Sequence, residues 1–497
     1  MKILVANRGE IAVRILRACQ ELGFPSVAIY SESDQVALHV RSADEAIAIG
    51  ANQNYLNITA LLDAAKQSGA DAIHPGYGFL SENAVFAQAV EAAGFIFIGP
   101  RPETIALTGD KLAARHAAAE AGLPVLPGSE DPLPRKLPVD LAAQVNYPVL
   151  IKATAGGGGR GIRLARSQAE LQEMISAARQ EAKAAFGNDD VYLESLVQDA
   201  RHIEVQIIGD GYGHILCLGE RECSIQRRRQ KLIEEAPASG LSDEQRNRLY
   251  DGAFRLAHAL NYRSLGTVEF LLDSDQNFHF IEVNPRIQVE HPVTEMVTGL
   301  DLVKEQLCLA AGQPLHITQD VVSLRGAAIE ARVLAEDPEQ DFMPATGQIS
   351  HLKEPGGPGI RIDSALYLGM PVTPEYDSLL AKVIAWCDDR PAAIRRMRRA
   401  LREFNIAGVA TDLTFLQQVI DSPKFVAGEV TTTYLETFTP EEEANQSILE
   451  RDAAVAAVLY AHRQHELSEQ TASSQPSISL ASLWRQAAWS EQMTGNA

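Results

Sequence analysis

The sequence contains no apolar run approaching the roughly 18 to 20 residues of a membrane-spanning helix, which argues against a membrane-embedded chain. It also lacks any C-x-x-C pair. Its 5 cysteines, Cys19, Cys217, Cys223, Cys308 and Cys387, are scattered, so neither a disulfide framework nor a zinc site is indicated, and packed thiols in a reducing cytoplasm are expected. Positive charge is short as well: 44 Lys and Arg stand against 65 Asp and Glu, a formal net charge of -21 over 497 residues. Proteins that coat nucleic acid carry the opposite field, so local basic clusters read as sites. In the opening MKILVANRGEIAV, Arg8 and Glu10 fall where a secretory signal needs an uninterrupted apolar core, so no such signal is expected. No internal repeat is visible.

What is present is the composition of a soluble globular protein, 46% apolar and 22% charged, with length for about two to four domains. ILVAN, then EIAVRILRACQEL closed by Gly23, then PSVAIY and further αβ units up to FIFIGP near residue 100 give the rhythm of a parallel sheet covered by helices. A proline-rich connector covers residues 123–140, and YPVLIKA then reads as a buried strand. Over residues 192–290 the pattern changes to paired strands. HIEVQIIGDGYGHILCLGE carries a glycine-rich hairpin signal, and GTVEFLLDSDQNFHFIEVN a second turn at 273–277. The core is therefore expected to be mixed α/β with an antiparallel sheet. Residues 326–440 read as a further compact segment with a basic helix, AAIRRMRRALREF. ILERDAAVAAVLYAHRQHEL has helical spacing, TASSQPSIS is linker-like, and LASLWRQAAW holds Trp484 and Trp489. That tail reads either as a helix packed on its own domain or as a docking segment for a partner.

Three clusters carry chemistry. Lys152 precedes AGGGGRG, combining a fixed cation with unhindered backbone N–H groups that can wrap a polyphosphate. The loop fits neither the Walker pattern nor a dinucleotide fingerprint, and a merely flexible loop is the alternative. Lys111 in LTGDKLAAR is a possible second phosphate ligand or an ordinary surface lysine. Second, Glu269 joins the string FIEVNPRIQVEHPVTE, in which Glu282, Asn284, Arg286, Gln288 and Glu290 alternate with apolar residues and would share one face of an extended segment. Hard oxygen ligands from Glu269, Glu282 and Asn284 suit Mg²⁺, with Arg286 beyond them for a small oxyanion; an exposed strand edge patterned for solubility is the alternative. Third, RECSIQRRRQKLIEEAP places Arg227, Arg228, Arg229 and Lys231 together, a solvated charge run or an anion site.

Over about residues 1–440 these motifs match a known family. ILVANRGEIAVRILRA, HPGYGFLSEN, GDK, AGGGGRG, RHIEVQI, QRRRQK and above all EVNPRIQVEHPVTEM resemble the biotin carboxylase subunits and domains of biotin-dependent carboxylases, within the ATP-grasp superfamily. The resemblance implies an ATP-grasp fold with a Rossmann-like N-terminal domain at 1–110, an ATP-grasp domain at 111–325 with a mobile lid at about 131–203, and a mixed α/β C-terminal domain at 326–440, leaving a helical tail at 441–497. It implies a ligase that carboxylates biotin on a separate carrier with bicarbonate and ATP, using Mg²⁺ or Mn²⁺. For ATP it points to Lys111, Lys152, Gly158, Gly159, Glu194, Ser195, Leu196, Val197, His202, Gln226, Arg229, Leu271, Glu269 and Glu282. It makes Glu269, Glu282 and Asn284 metal ligands, and Lys231, Arg286, Gln288 and Val289 the bicarbonate site. Glu290 becomes the general base, Arg332 the cation facing biotin, and Tyr77 and Gly78 the packing surface for the biotin ring. Arg229 departs from the histidine common at its position, so the nucleotide contact expected there would come from an arginine.

No Ala-Met-Lys-Met-type string occurs, so the biotin carboxyl carrier protein and the carboxyltransferase are expected as other chains. A homodimer is also implied, through the segment around Tyr376 and Asp377, with no nucleic-acid or membrane partner. An acyl-CoA carboxylase is the leading setting and a pyruvate or urea carboxylase the next. Rival readings are another ATP-grasp carboxylate-amine ligase and, from the early αβαβ segment alone, a nicotinamide-dependent dehydrogenase or a noncatalytic nucleotide-binding module.

Overall fold

The computed structural model describes residues 1–135, 145–156, 161–439 and 453–463. Five short apolar strands open the chain: β1 (Ile3–Val5), β2 (Ser26–Ser31), β3 (Glu45–Gly50), β4 (Ala72–His74) and β5 (Ile96–Phe97). They pair in parallel in the order β3-β2-β1-β4-β5. The helix Gly9–Leu22 buries Ile11, Ile15, Leu16 and Cys19 on the sheet and ends at Gly23, whose φ of 71° allows its N–H to return to the last turn. Strand order reverses between β1 and β4, so the loops leaving these two strands flank a crevice, the usual place for a ligand on an open parallel sheet.

The strand YPVLIKA becomes β6 (Val149–Ala153), which pairs with β7 (Ile162–Ala165) and β8 (Val191–Ser195). This three-stranded sheet has its own small core with the helix Gln168–Phe186, built from Ile151, Leu171, Ile175 and Val191 among others.

Then come β9 (Arg201–Asp210), β10 (Ile215–Arg227), β11 (Gln230–Ala236), β12 (Arg263–Leu272), β13 (Phe278–Asn284) and β14 (Ala327–Leu334). They form an 8-stranded sheet in the order β13-β12-β9-β10-β11-β14, completed by the strands Leu379–Cys387 and Ile360–Ser364. Both hairpins fall where the sequence patterns place them, and the turn at 273–277 closes through Asp273 N–H to the Asn277 carbonyl at 3.0 Å. β11 pairs directly with β14, so one sheet continues across residue 325. The basic helix appears as Arg390–Glu403, burying Ile394, Met397 and Leu401.

Residues Met1–Phe438 form one compact unit and Thr439–Ala497 another. In the second unit residues 453–463 are helical and exposed; Trp484 and Trp489 lie outside the described residues. No described helix is long and apolar enough to cross a membrane.

Candidate active site

The crevice at the β1/β4 reversal is held by Asn7, whose side-chain amide donates to the carbonyls of Pro75 and Tyr77 at 2.7 Å each. Gly76 is required here: its φ is 64°, and a Cβ would lie 2.8 Å from the Asn7 amide. Tyr77 thereby comes to hydrogen-bond Glu10, while Gly78 takes the left-handed conformation next to it. Burial, with Glu10 adding, pushes the Tyr77 hydroxyl well above its ordinary pKa. Arg8 ion-pairs with Asp34 at 2.7 Å and lies 3.8 Å over the Tyr376 ring. The Tyr376 hydroxyl meets Ser31 at 2.7 Å, so this residue, expected near a dimer contact, is engaged within the chain.

On the antiparallel sheet Glu269 and Glu282 are direct cross-strand partners of β12 and β13. Like charges so placed repel. The structure answers with cations: Lys111 reaches Glu282 at 2.9 Å, and Lys231 reaches Glu269 at 2.8 Å. Asn284 donates to Glu269 at 2.8 Å, and His202 meets its other oxygen at 2.9 Å. Burial would raise the Glu269 pKa, but Lys231 and His202 outweigh it and hold the carboxyl far below its usual range. Two opposed carboxylates and an amide oxygen are a hard donor set that fits a divalent cation such as Mg²⁺. Lys111, open to reading as a surface lysine, is largely buried at the start of the helix Lys111–Glu120.

Lys152 on β6 points at Glu194 of β8, and Arg115 joins the same carboxylate at 3.1 Å. Glu194 thus fixes Lys152. Ser195 ends β8, and Leu196 and Val197 follow it, half-buried. Leu271 pairs across the strands with His202, and the Gln226 amide donates to the Cys223 carbonyl at 2.8 Å. Gly158 and Gly159 lie outside the described residues. The basic run divides: Arg227 pairs with Glu336 and Arg228 with Asp341, Arg228 and Arg229 make the two-residue turn between β10 and β11 with φ of 50° and 67°, and Lys231 turns into the carboxylate centre.

The alternating face read over residues 282–290 holds only as far as Asn284. Pro285 has no N–H for the ladder and ends β13; the chain then loops, and Glu290 stands at the N-terminal cap of the helix His291–Thr298. Much of the polar row is also buried, with Gln288 at 4% and Glu290 at 1% exposure, while Glu282 and Arg286 are half-buried. The residues nonetheless converge. Arg286 meets Gln288 at 2.6 Å and Glu82 at 2.7 Å, and the Gln288 amide reaches Glu269 at 3.3 Å. The Lys231 ammonium touches Glu269 at 2.8 Å, Glu290 at 2.7 Å and Glu204 at 2.6 Å. Arg332 on β14 bridges Glu290 at 2.9 Å and Glu234 at 2.6 Å. Burial would raise Glu290, but Lys231, Arg332 and Arg221 together keep it well below the ordinary carboxylate range. Val289 is held by its carbonyl, which accepts from the fully buried Lys382 at 2.8 Å.

Sequence reasoning missed Glu82, Glu204, Arg221, Glu234, Glu330 and Lys382. Arg221 is wholly buried, and its guanidinium meets Glu204 at 2.5 Å and Gln206 at 2.7 Å. The available signal was a charge inside an apolar run, single in LLAKVIAW for Lys382 and one of two, with Arg332, in AAIEARVL for Glu330.

Family models match along the chain: the biotin carboxylase N-terminal domain over residues 1–105, the ATP-binding domain of the carbamoyl-phosphate synthase L chain over 110–318, and the biotin carboxylase C-terminal domain over 330–437. A biotin carboxylase of Nostoc sp. is 52% identical over 439 residues, covering 88% of this chain and 98% of the relative. Biotin carboxylase 1 of Bacillus subtilis is 50% identical over 442 residues, with the same coverage of 88% and 98%. The crystallised biotin carboxylase domain dimer of the Hydrogenobacter thermophilus 2-oxoglutarate carboxylase, in complex with MgADP, ADP and bicarbonate, superposes with a TM-score of 0.85 at 48% identity over 88% of this chain and 97% of that one. With this sequence identity, this fold and this convergence of carboxylates and cations, the chain belongs to the biotin carboxylase family of ATP-grasp ligases.

Proposed function

We propose that the chain carboxylates biotin on a separate carrier protein, using bicarbonate and MgATP, as the first half-reaction of a multi-subunit acyl-CoA carboxylase. The observation that carries the reading is Lys231, whose ammonium spans the proposed metal carboxylate Glu269 and the proposed base Glu290. Relatives named biotin carboxylase, matched over 98% of their length, support the half-reaction, while biotin carboxylase units of 2-oxoglutarate and pyruvate carboxylases match over 97% of theirs, so the acyl-CoA setting stands on the co-purification test. In that setting the carrier and the transferase are other chains, and the transferase binds the acyl-CoA that accepts the carboxyl group.

Bicarbonate is a poor electrophile, and phosphorylation by ATP converts it to carboxyphosphate. In this scheme Arg286 and Gln288 hold bicarbonate, Glu290 takes its proton, and the freed oxygen attacks the γ-phosphorus as ADP leaves. Lys111, Lys152 and Lys231 balance charge on the phosphates, and a cation between Glu269, Glu282 and Asn284 would add to that neutralisation. Lys231, Arg332 and Arg221 hold Glu290 so acidic that it is a weak base. A phosphate drawing Lys231 away would raise its basicity where it is needed. Carboxyphosphate then breaks to CO2 and phosphate, the phosphate takes the ureido N–H proton of biotin packed on Tyr77 and Gly78, Arg332 stabilises the negative ureido oxygen, and the nitrogen attacks CO2 to give carboxybiotin.

The small sheet β7-β6-β8 with its own core is suited to move as a lid and shield carboxyphosphate from water. Saturating ATP is expected to slow hydrogen exchange across residues 131–203, and an unchanged pattern would remove the lid from the scheme. The decisive assay is ATP cleavage with bicarbonate and free biotin: both are expected to be required for carboxybiotin, and indifference to both would sink the reading. Purification from the native cell, with identification of co-purifying carrier and transferase subunits, tests the acyl-CoA setting.

A further inference from the structure

Glu234 on β11 and Glu330 on β14 are direct cross-strand partners and are fully buried. One oxygen of Glu234 accepts from Arg332 at 2.6 Å. Its other oxygen and both oxygens of Glu330 are sealed from solvent without a hydrogen-bond partner. The neighbouring cations are committed elsewhere. Arg332 also contacts Glu290 at 2.9 Å, and Lys382 contacts the Val289 carbonyl at 2.8 Å, Glu10 at 3.2 Å and Asp363 at 3.8 Å. Two ionised carboxylates facing each other here would combine like-charge repulsion with unsatisfied burial. One proton resolves both problems, because a protonated carboxyl is a donor and its partner is an acceptor.

We propose that Glu234 and Glu330 share one proton, and that this pair governs how firmly Arg332 is held to the sheet and hence its reach toward the biotin ureido oxygen. The proposal rests on Arg332 facing biotin and assigns Glu234 and Glu330 as positioning residues for it. The charged and titratable groups that face the pair are Arg332 on β14, Lys382 on the next strand, Lys231 on β11, Glu290 at the helix cap and the Cys223 thiol on β10. Burial raises Glu330 well above the usual carboxylate pKa despite Lys382, with Glu234 adding to the rise. Burial likewise lifts Glu234 to about 7, against the pull of Arg332. With its proton the pair carries one charge, matched by one guanidinium. As pH rises through these values the proton leaves, two charges draw Arg332 back, and biotin binding weakens.

Glu330→Gln is the main test, since its amide can donate to Glu234 at every pH but cannot titrate. The wild-type protein is expected to show the infrared carbonyl band of a protonated carboxyl at neutral pH, and the variant to lack it. The alkaline rise in the KM for free biotin is expected to flatten in the variant. Glu330→Leu leaves the Glu234 oxygen without a donor, a cost that falls on folding stability, but it also removes the second charge, so the alkaline rise in the biotin KM is expected to flatten in it as in Glu330→Gln. An infrared band unchanged in Glu330→Gln, or parallel pH profiles for it and the wild type, would overturn the proposal. Arg332→Gln separates this failure from failure of the underlying reading. Equal loss of ATP cleavage and biotin carboxylation in that variant would remove Arg332 from biotin, whatever the infrared result.

Discussion

β14 and the strand Leu379–Cys387 present two buried faces that are built from opposite materials. On one, Ile329, Ala331 and Val333 join Ala381, Val383 and Ala385 beneath the helix Arg390–Glu403. On the other, Glu330, Arg332 and Lys382 lie with Glu234 on the side of the helix His291–Thr298, where the apolar contacts shrink to residues such as Ala328, Ile384, Val293 and Val297. Val333 and Lys382 are equally inaccessible, at 0% exposure. Apolar burial stabilises in proportion to area. A buried ion cluster pays its own desolvation and is at best near neutral for stability, yet losing one member leaves an uncompensated charge. The apolar face therefore supplies stability, and the charged face supplies the fixed positions of Val289, Arg332 and Glu290.

The largest effect that would sharpen this contrast is expected from Lys382→Met. It leaves Glu10 without its cation, while Asp363 keeps its two-bond pair with Arg361, for a loss of about 3 to 5 kcal/mol, measured by urea unfolding. The sign with pH follows from the carboxyl left behind. Burial already holds Glu10 above its ordinary pKa, with Lys382 pulling it down, and without the lysine it rises further. A raised carboxyl costs stability at high pH and stops doing so as pH falls and it protonates. The deficit should therefore be greatest above neutral pH and shrink toward pH ~5, and a deficit independent of pH would mean that Lys382 acts by packing alone.

Glu290→Gln comes next. It is expected to keep ATP affinity while cutting bicarbonate-dependent turnover by about two or more decades, the range of general base catalysis. Near-normal turnover would assign proton removal to another group and leave Glu290 as an anchor for Lys231 and Arg332. Measured together, the two variants ask whether one charged face can lose stability at one position and chemistry at another.

The apolar face was the more legible of the two in the sequence. Alternation in AAIEARVL and the spacing of Ile394, Met397 and Leu401 announce strand and helix because side-chain direction follows from the backbone repeat. The string around Glu282 put Glu282 and Asn284 on one strand face for the same reason. What could not be read is cross-strand register between distant segments: Glu234 opposite Glu330, Arg332 opposite Lys382. KLIEEAP looks like a charge run until β14 is laid beside it. Strand periodicity also reached too far, carrying Arg286 to Glu290 along a strand that Pro285 had already ended. The convergence of Glu290 with Lys231 depends on that bend.

The smallest effect belongs to the apolar face and tests the contrast from its other side. Ile394 is 3% exposed in the cluster that joins the helix Arg390–Glu403 to the sheet. Ile394→Val removes one methylene and should cost about 1 kcal/mol. Because no charge is orphaned, the cost should be the same at neutral and mildly acidic pH, unlike that of Lys382→Met. Turnover and the biotin KM should stay at wild-type values, since the lost packing lies across the strands from Arg332. A fall in biotin carboxylation without a fall in ATP cleavage would break the division. It would mean that β14 transmits small shifts from its apolar side to Arg332, and that the two faces work as one element.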